Sequence, residues 1–173
     1  MSREHKGLVT IHTDGACLGN PGPGGFAAII EDCSGQRTIA RGYHLTTNNR
    51  MELMAAIEAL RSLPARQKVR LFSDSQYLVN GMKEGWARTW QRNGWRRSSR
   101  EPALNADLWS ELLGLADQHD VEWIWVRGHA DDELNVQCDR LAVEYATNHA
   151  TESDEVFEKL HQAKSSMKRS IGS

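Results

Sequence analysis

Thr46-Thr47-Asn48-Asn49-Arg50-Met51-Glu52-Leu53-Met54-Ala55-Ala56-Ile57-Glu58-Ala59-Leu60 is a polar turn followed by the clearest helical pattern in the chain. Leu53, Ile57 and Leu60 recur at helical spacing and form an apolar stripe. Glu52 lies along this stripe, whereas Glu58 points away from it. An acid in a first turn, after a cap by Asn48 or Asn49, can simply complement the helix dipole. Its position on the buried side also makes Glu52 a candidate for a functional site.

Length and composition favour one compact α/β domain. The chain has 173 residues, of which 39% are hydrophobic and 25% charged, so a sizeable core can form. The apolar runs are too short to span a bilayer, and the first residues lack the apolar segment of a secretory signal. Cys17, Cys33 and Cys138 are odd in number and show no CxxC spacing, which indicates reduced thiols. We therefore expect a cytoplasmic protein with no membrane partner.

The net charge of −2 hides an uneven distribution. Residues 83–100 contain six lysines and arginines but a single acid, Glu84, so this segment carries +5 and the rest of the chain −7. Trp86 and Trp90 lie four residues apart in it, and Trp95 follows. A local basic patch on a mildly acidic protein indicates a directed contact with a negatively charged partner.

The first half of the chain predicts an antiparallel meander. Residues 7–14 alternate and are rich in β-branched side chains, so they form a strand that delivers Asp14 at its end. Residues 15–25 are dense in glycine and proline and are predicted to be a loop. Residues 26–31 form a second strand, and a turn at Ser34-Gly35 leads into a third strand over residues 38–45.

The second half alternates strands and helices. Asp74 follows a short strand over residues 68–73, and Asp139 aligns with the apolar residues of the last predicted helix. The other predicted elements are a helix from Gln76, a helix over residues 105–115, a buried strand over 121–126 and a helix over 132–146.

Residues 148–173 are polar, first acidic and then basic. Val156, Leu160, Ala163 and Met167 are spaced to form one face of a short amphipathic helix, but no partner for that face is evident in the sequence. We therefore expect a loosely ordered C-terminal tail after a folded domain over residues 1–147.

Four acids occupy informative positions. Asp14 and Asp74 end strands, and the carboxyl ends of neighbouring parallel strands open into one crevice. Glu52 and Asp139 lie on helix faces directed towards the sheet. Carboxylates so close together repel one another and require a compensating cation. Hard oxygen ligands suit Mg²⁺ or Mn²⁺. Each acid also has a local explanation, as a turn residue or a helix-face acid, but four such coincidences together are improbable.

Several motifs resemble those of bacterial type 1 ribonuclease H. They run in order and with similar spacing from residue 7 to residue 147. They are Thr13-Asp14-Gly15-Ala16, Gly19-Asn20-Pro21-Gly22, Thr47-Asn48-Asn49-Arg50-Met51-Glu52, Ser73-Asp74-Ser75-Gln76-Tyr77, Gly128-His129-Ala130, Asn135 and Cys138-Asp139. The resemblance implies an α/β ribonuclease H-like fold, with a mixed five-stranded sheet flanked by helices. Its first three strands would be antiparallel and the others parallel.

The resemblance also implies the reaction and its residues. Asp14, Glu52, Asp74 and Asp139 would hold two Mg²⁺ ions when substrate is bound, with Mn²⁺ as a substitute, and His129 would assist catalysis. The monomeric enzyme would cleave the RNA strand of an RNA–DNA hybrid and leave 3′-hydroxyl and 5′-phosphate ends. The residues that would contact the RNA strand are Gly15, Cys17, Asn20, Asn48 and Gln76. Those that would contact the DNA strand are Thr47, Asn105 and the tryptophans of the basic segment, Trp86 first.

Some alternatives stay open at this stage. Trp86 and Trp90 are also spaced for simple helix packing, and His129 could be an ordinary exposed loop residue. A non-catalytic module that binds hybrids or duplex RNA could keep the same fold, as could an integrase or transposase acting on DNA. The acidic loop at residues 131–133 departs from the family pattern. It either raises the pKa of His129 or caps the last helix.

Overall fold

A computed structural model describes residues 7–98, 102–128 and 132–172. In these residues a six-stranded mixed sheet has helices on both faces. The strands are β1 (Val9–Cys17), β2 (Gly22–Asp32), β3 (Gly35–Thr46), β4 (Lys68–Ser73), β5 (Asp120–Trp125) and β6 (Ala150–Glu152). The helices are α1 (Asn48–Arg61), α2 (Gln76–Lys83), α3 (Trp86–Arg92), α4 (Ala106–Asp117), α5 (Glu133–Asn148) and α6 (Glu155–Ile171).

The strand order is β5-β4-β1-β2-β3-β6. β1, β2 and β3 form the predicted antiparallel meander, and β4 and β5 extend it in parallel on the other side of β1. The expected mixed sheet is confirmed, with one further strand, since β6 pairs with β3 at the opposite edge.

β1 runs further than its sequence pattern predicts. The parallel pairing of β1 with β4 stops at Thr13 and Ser73, so Asp14 and Asp74 are the next residue on each chain segment. β1 nevertheless continues to Cys17, because β2 still pairs with it there and satisfies its backbone groups. The predicted loop over residues 15–25 is therefore wrong, and only residues 18–21 lie between the two strands.

The core lies on both sides of β2. Ala28 and Ile30 belong to the large apolar cluster that α1 and α4 cover, whereas Ala27 and Ile29 pack against Cys138 of α5. Successive residues of a strand point to opposite faces, so β2 is buried on both of them. This double burial explains why β2 has a nearly continuous apolar run and no alternation.

Two other expectations are corrected here. The strand predicted to be buried is β5, which lies at the sheet edge and is partly exposed. The segment predicted to be a loosely ordered tail instead contains β6 and α6. The residue that secures it is Asp154, which is 3% exposed and caps α6 by accepting from the Phe157 amide.

No helix in the described ranges is both long and apolar enough to cross a membrane.

Candidate active site

Three of the four predicted carboxylates meet where β1 and β4 diverge. Asp14 belongs to β1, Asp74 follows β4, and Glu52 lies in the first turns of α1. Each offers a carboxylate oxygen, and these oxygens all lie within 4.8 Å of one another. Gly15 allows this approach, because a Cβ there would lie 2.6 Å from the amide nitrogen of Glu52. The sequence therefore brings α1 against β1 at a residue that has no side chain to obstruct it.

The cluster is buried and incompletely hydrogen-bonded. Asp14 and Glu52 are each 3% exposed. Asp14 Oδ1 accepts from the Gly15 amide at 2.9 Å, whereas Asp14 Oδ2 and Glu52 Oε2 have no hydrogen-bond partner among the described residues. Buried polar atoms are nearly always satisfied, so two orphaned carboxylate oxygens in one cluster suit the binding of a cation.

The electrostatics agree with the geometry. Burial, followed by the charge of Asp74, raises the pKa of Asp14 to about 8. Burial and the charges of Asp14 and Asp74 raise the pKa of Glu52 well above its usual range. The pKa of Asp74 is also raised, chiefly by burial. Removing these carboxylates from water thus favours their neutral forms unless a cation compensates them.

Asp139 lies at the margin of the cluster. The prediction that it sits on the apolar stripe of α5 is wrong, because Asp139 is exposed and the buried residues of that helix include Cys138, Ala142 and Ala146. Asp139 still lines the same cleft of about 410 Å³ as Asp14, Glu52 and Asp74. Its charge contributes to the raised pKa of Asp14 and of Asp74.

The donor set fits a hard divalent cation. The three clustered groups offer only carboxylate oxygens, two of which lack partners among the described residues, and Asp139 adds a fourth carboxylate from the rim. Mg²⁺ and Mn²⁺ prefer such oxygen ligands and tolerate water in the remaining positions. If these acids were only turn and helix-face residues, local hydrogen bonds would be expected to satisfy Asp14 Oδ2 and Glu52 Oε2, and they do not.

The residues expected to contact RNA are divided by the structure. Gly15, Asn48 and Gln76 line the acidic cleft. Asn20 lies at its side and accepts from the Asn48 amide at 3.1 Å. Cys17 lies apart from the cleft lining, and its thiol approaches the carbonyl oxygens of Gly22 and Thr46 at 3.4 and 3.5 Å. A role for Cys17 would therefore involve its backbone.

Two of the residues expected to contact DNA line a second groove of about 560 Å³. Thr47 and Asn105 both belong to its walls, together with Asn20. Thr47 is also the N-cap of α1 and accepts from the Arg50 amide at 3.2 Å, so the expected cap by Asn48 or Asn49 is wrong. Asn105 has a left-handed backbone and donates to the Tyr77 hydroxyl at 3.1 Å.

The basic segment contains α3, and its tryptophans differ in role. Trp90 packs edge-on against the buried Trp109, with ring centroids 6.1 Å apart, which is the packing alternative. Trp86 is 42% exposed and remains available for a partner. Arg88 pairs with Asp117 on α4. His129, predicted to assist catalysis, lies outside the described residues.

Sequence reasoning missed a buried ion-pair network beside the second groove. The Arg50 guanidinium donates to Asp154 at 2.6 and 3.0 Å and to Asp107 at 2.9 and 2.7 Å. Asp154 also accepts from the Thr46 hydroxyl at 2.7 Å. Arg50 is 2% exposed, so the network ties α1, α4 and the start of α6 together. Its members are too far apart in sequence for any local pattern to reveal them.

The family of the chain follows from comparison with known proteins. The family model described as RNase H matches residues 6–147, which include every clustered carboxylate and the residues predicted to contact both strands. The chain belongs to this family. The ribonuclease H of Syntrophus aciditrophicus (strain SB) is 51% identical over 145 residues, covering 84% of this chain and 84% of the relative. That of Symbiobacterium thermophilum is 55% identical over 134 residues, covering 78% of this chain and 91% of the relative.

Solved structures agree with the fold. LC9-RNase H1, described as a type 1 RNase H with the type 2 active-site motif, is 37% identical with a TM-score of 0.72, covering 82% of this chain and 72% of that protein. LC11-RNase H1 in complex with an RNA/DNA hybrid is 20% identical with a TM-score of 0.63, covering 83% of this chain and 99% of that protein, and supports the fold alone. The resemblance inferred from sequence motifs is thus confirmed, while β6 and α6 lie beyond the residues that the family model matches.

Proposed function

We propose that this ribonuclease H hydrolyses the RNA strand of RNA–DNA hybrids with two Mg²⁺ ions held by Asp14, Glu52, Asp74 and Asp139. The products would carry 3′-hydroxyl and 5′-phosphate ends, and Mn²⁺ would support the same reaction when supplied in place of Mg²⁺. The observation that carries this proposal is the pair of orphaned oxygens, Asp14 Oδ2 and Glu52 Oε2, inside a three-carboxylate cluster of an RNase H family chain.

The ions would supply an activated water and stabilise the negative charge of the departing 3′ oxygen. The chain's own contribution is to fix their ligands. The Gly15 amide holds Asp14 from one side, and the Trp125 indole donates to the Asp74 carbonyl at 3.1 Å from the other. Gly128 lies against Asp74, since a Cβ there would be 3.0 Å from Asp74 Oδ2. Such packing keeps the ligands in place before substrate arrives.

The cleft also provides the means of recognising RNA. Gln76 and Asn48 line the cleft beside the carboxylates, and the backbone of Gly15 borders it as well. An amide both donates and accepts hydrogen bonds, which suits a 2′-hydroxyl. Thr47 and Asn105 face the other groove, where the DNA strand would lie. His129, following Gly128 in sequence, would move protons or assist product release.

Cleavage of a hybrid labelled in its RNA strand tests this proposal. Cleavage is expected with Mg²⁺ or Mn²⁺ but not with chelator, and not on duplex DNA. Asp74→Asn should abolish cleavage while binding of the hybrid persists, since it removes one ligand from an otherwise intact surface. Asp120→Asn is the matched control, because Asp120 is an exposed acid at the start of β5, at the end of the parallel strands remote from Asp74. Normal turnover by the Asp74 variant would show that the catalytic site does not depend on this carboxylate and lies elsewhere.

The alternative of a non-catalytic binding module is disfavoured by the family of the chain and by its carboxylate cluster. It would bind the hybrid without metal-dependent cleavage in the first assay.

The described cysteines Cys17, Cys33 and Cys138 are free thiols, as a reducing compartment would allow. We extend the proposal to a cytoplasmic monomer, and light scattering of the full chain would check its oligomeric state.

A further inference from the structure

α6 stands beside the groove that holds the expected DNA-side residues. The groove is lined on one side by Thr47, Asn49 and Asn105, and on the other by residues of α6. The α6 residues are Val156, Phe157, Leu160, His161 and Lys164. The segment therefore forms one wall of a groove whose other wall comes from the family-matched part of the chain.

The position of α6 is fixed at its start. Asp154, immediately before the helix, is held by Arg50 and by the Thr46 hydroxyl, and it caps the helix itself. Both oxygens of Asp107, an acid that also lines the groove, accept from the same guanidinium. Because this one guanidinium is shared by Asp107 and Asp154, the three groups together keep a net charge of −1, so any attraction of the groove for phosphate must come from Lys164 and the basic residues farther along α6.

The far half of α6 is basic. After Glu158, the helix carries Lys159, Lys164, Lys168 and Arg169 and no acid. Lys164 and Lys168 are four residues apart, one turn along the helix on the same face as the groove-lining residues. Lys159 and Arg169 lie on other faces. One turn advances about 5.4 Å along the axis, so the two ammonium groups stand far enough apart to contact different phosphates.

We propose that α6 extends the hybrid-binding surface, with Lys164 and Lys168 contacting phosphates of the DNA strand beyond the groove. The exposed Leu160 of α6 and Leu104, which precedes α4, would cover the sugars between these contacts. His161, whose ring lies 5.7 Å from that of Phe157, would add a hydrogen-bond donor. This inference rests on the proposed hybrid substrate. It concerns binding and leaves the chemistry to the carboxylates.

Two double variants with the same change of charge test the proposal. Lys164→Ala with Lys168→Ala removes both lysines from the groove face, while Lys159→Ala with Arg169→Ala removes two cations from the other faces. For the first, the plot of log K against log salt for hybrid binding should become less steep, its slope losing about two in magnitude, and KM should rise severalfold with kcat unchanged. The second should change both quantities much less.

Three outcomes would overturn the proposal. An unchanged salt slope and KM in the Lys164/Lys168 variant would show that α6 does not touch the hybrid. Equal effects of the two double variants would show only a general attraction by net charge. A fall in kcat at unchanged KM would place α6 in the chemistry instead. Circular dichroism of both variants checks that α6 stays folded, and retained metal-dependent cleavage by both keeps this test separate from that of the activity.

Discussion

Replacing Asp14 by Asn should stabilise the metal-free protein while destroying its activity. The carboxyl group of Asp14 has a pKa of about 8 in the folded protein, against an ordinary value of 3.8. The folded state therefore binds this proton more tightly than the unfolded chain does. Below pH 3.8 both states are protonated and stability is not reduced. As the pH rises, the unfolded chain ionises first, so stability falls until about pH 8 and is constant above it.

The size of the effect follows from that interval. Each pH unit between the two pKa values costs about 1.4 kcal/mol, and pH 7 lies about three units above the ordinary value, so the penalty approaches about 4 kcal/mol. Asn has the same shape and keeps an oxygen for the Gly15 amide, but it cannot ionise. We expect Asp14→Asn to raise the free energy of unfolding at pH 7 by roughly 2–4 kcal/mol and Tm by roughly 5–10 °C.

Urea unfolding in the presence of a chelator, at about pH 4, 6 and 8, measures this. The gain should be small at the lowest pH and largest at the highest. Asp139→Asn is the comparison within the site, since Asp139 is exposed and should gain less than about 1 kcal/mol. Mg²⁺ should raise the Tm of the wild type more than that of Asp14→Asn, because the variant lacks one ligand. A gain equal at all three pH values, or none, would refute the crowded-carboxylate explanation.

Three other perturbations test the surroundings of the site. Arg92→Ala with Arg97→Ala should reduce the salt slope of hybrid binding by about two and raise KM with little change in kcat, and an unaltered slope would show that these side chains face away from the duplex. Asp154→Asn should lower the free energy of unfolding by roughly 2–4 kcal/mol, because it weakens a buried ion pair. Thermal unfolding measures this loss, and Glu152→Gln, which neutralises an exposed acid two residues earlier, is the control for general charge effects. Asp131→Asn with Glu133→Gln should shift a histidine-dependent limb of the pH–rate profile to lower pH, since the imidazolium of His129 loses support, and an unmoved limb with a lower Tm would assign both acids to the helix.

The parts of the fold that sequence periodicity predicts are those with local causes. The helix from residue 48, the meander and the parallel extension through β4 follow from side-chain spacing and turn residues. Glu52 could be recognised because a carboxylate on an apolar stripe conflicts with its surroundings. The acidic loop before α5 supplies a cap, as one of its two interpretations predicts, since the Asp132 side chain accepts from the Asn135 backbone amide at 3.1 Å.

The parts that could not be predicted depend on distant contacts. β1 extends past Asp14 only because β2 pairs with it, and no pattern within β1 reveals this. The order of residues 150–171 depends on Asp154 meeting Arg50, which is 104 residues away. The exposure of Asp139 depends on how α5 is rotated about its axis. The apolar spacing predicts a buried face that includes Asp139, but in the structure the preceding residue, Cys138, is the buried one. Small errors in helix phase thus move a side chain from the core to the rim of a cleft.

The first turns of α1 separate the acidic cleft from the groove beside α6, the two surfaces proposed to bind substrate. Asn48 and Glu52 line the acidic cleft, Thr47 and Arg50 line the groove beside α6, and Asn49 borders both. Residues two apart in a helix point in nearly opposite directions, so Arg50 and Glu52 can serve separate surfaces from one turn. The distance between the two surfaces is then set by the backbone of a buried helix. If the RNA strand lies in the cleft and the DNA strand in the groove, as proposed, the helix that packs into the core also sets the distance between the two strands.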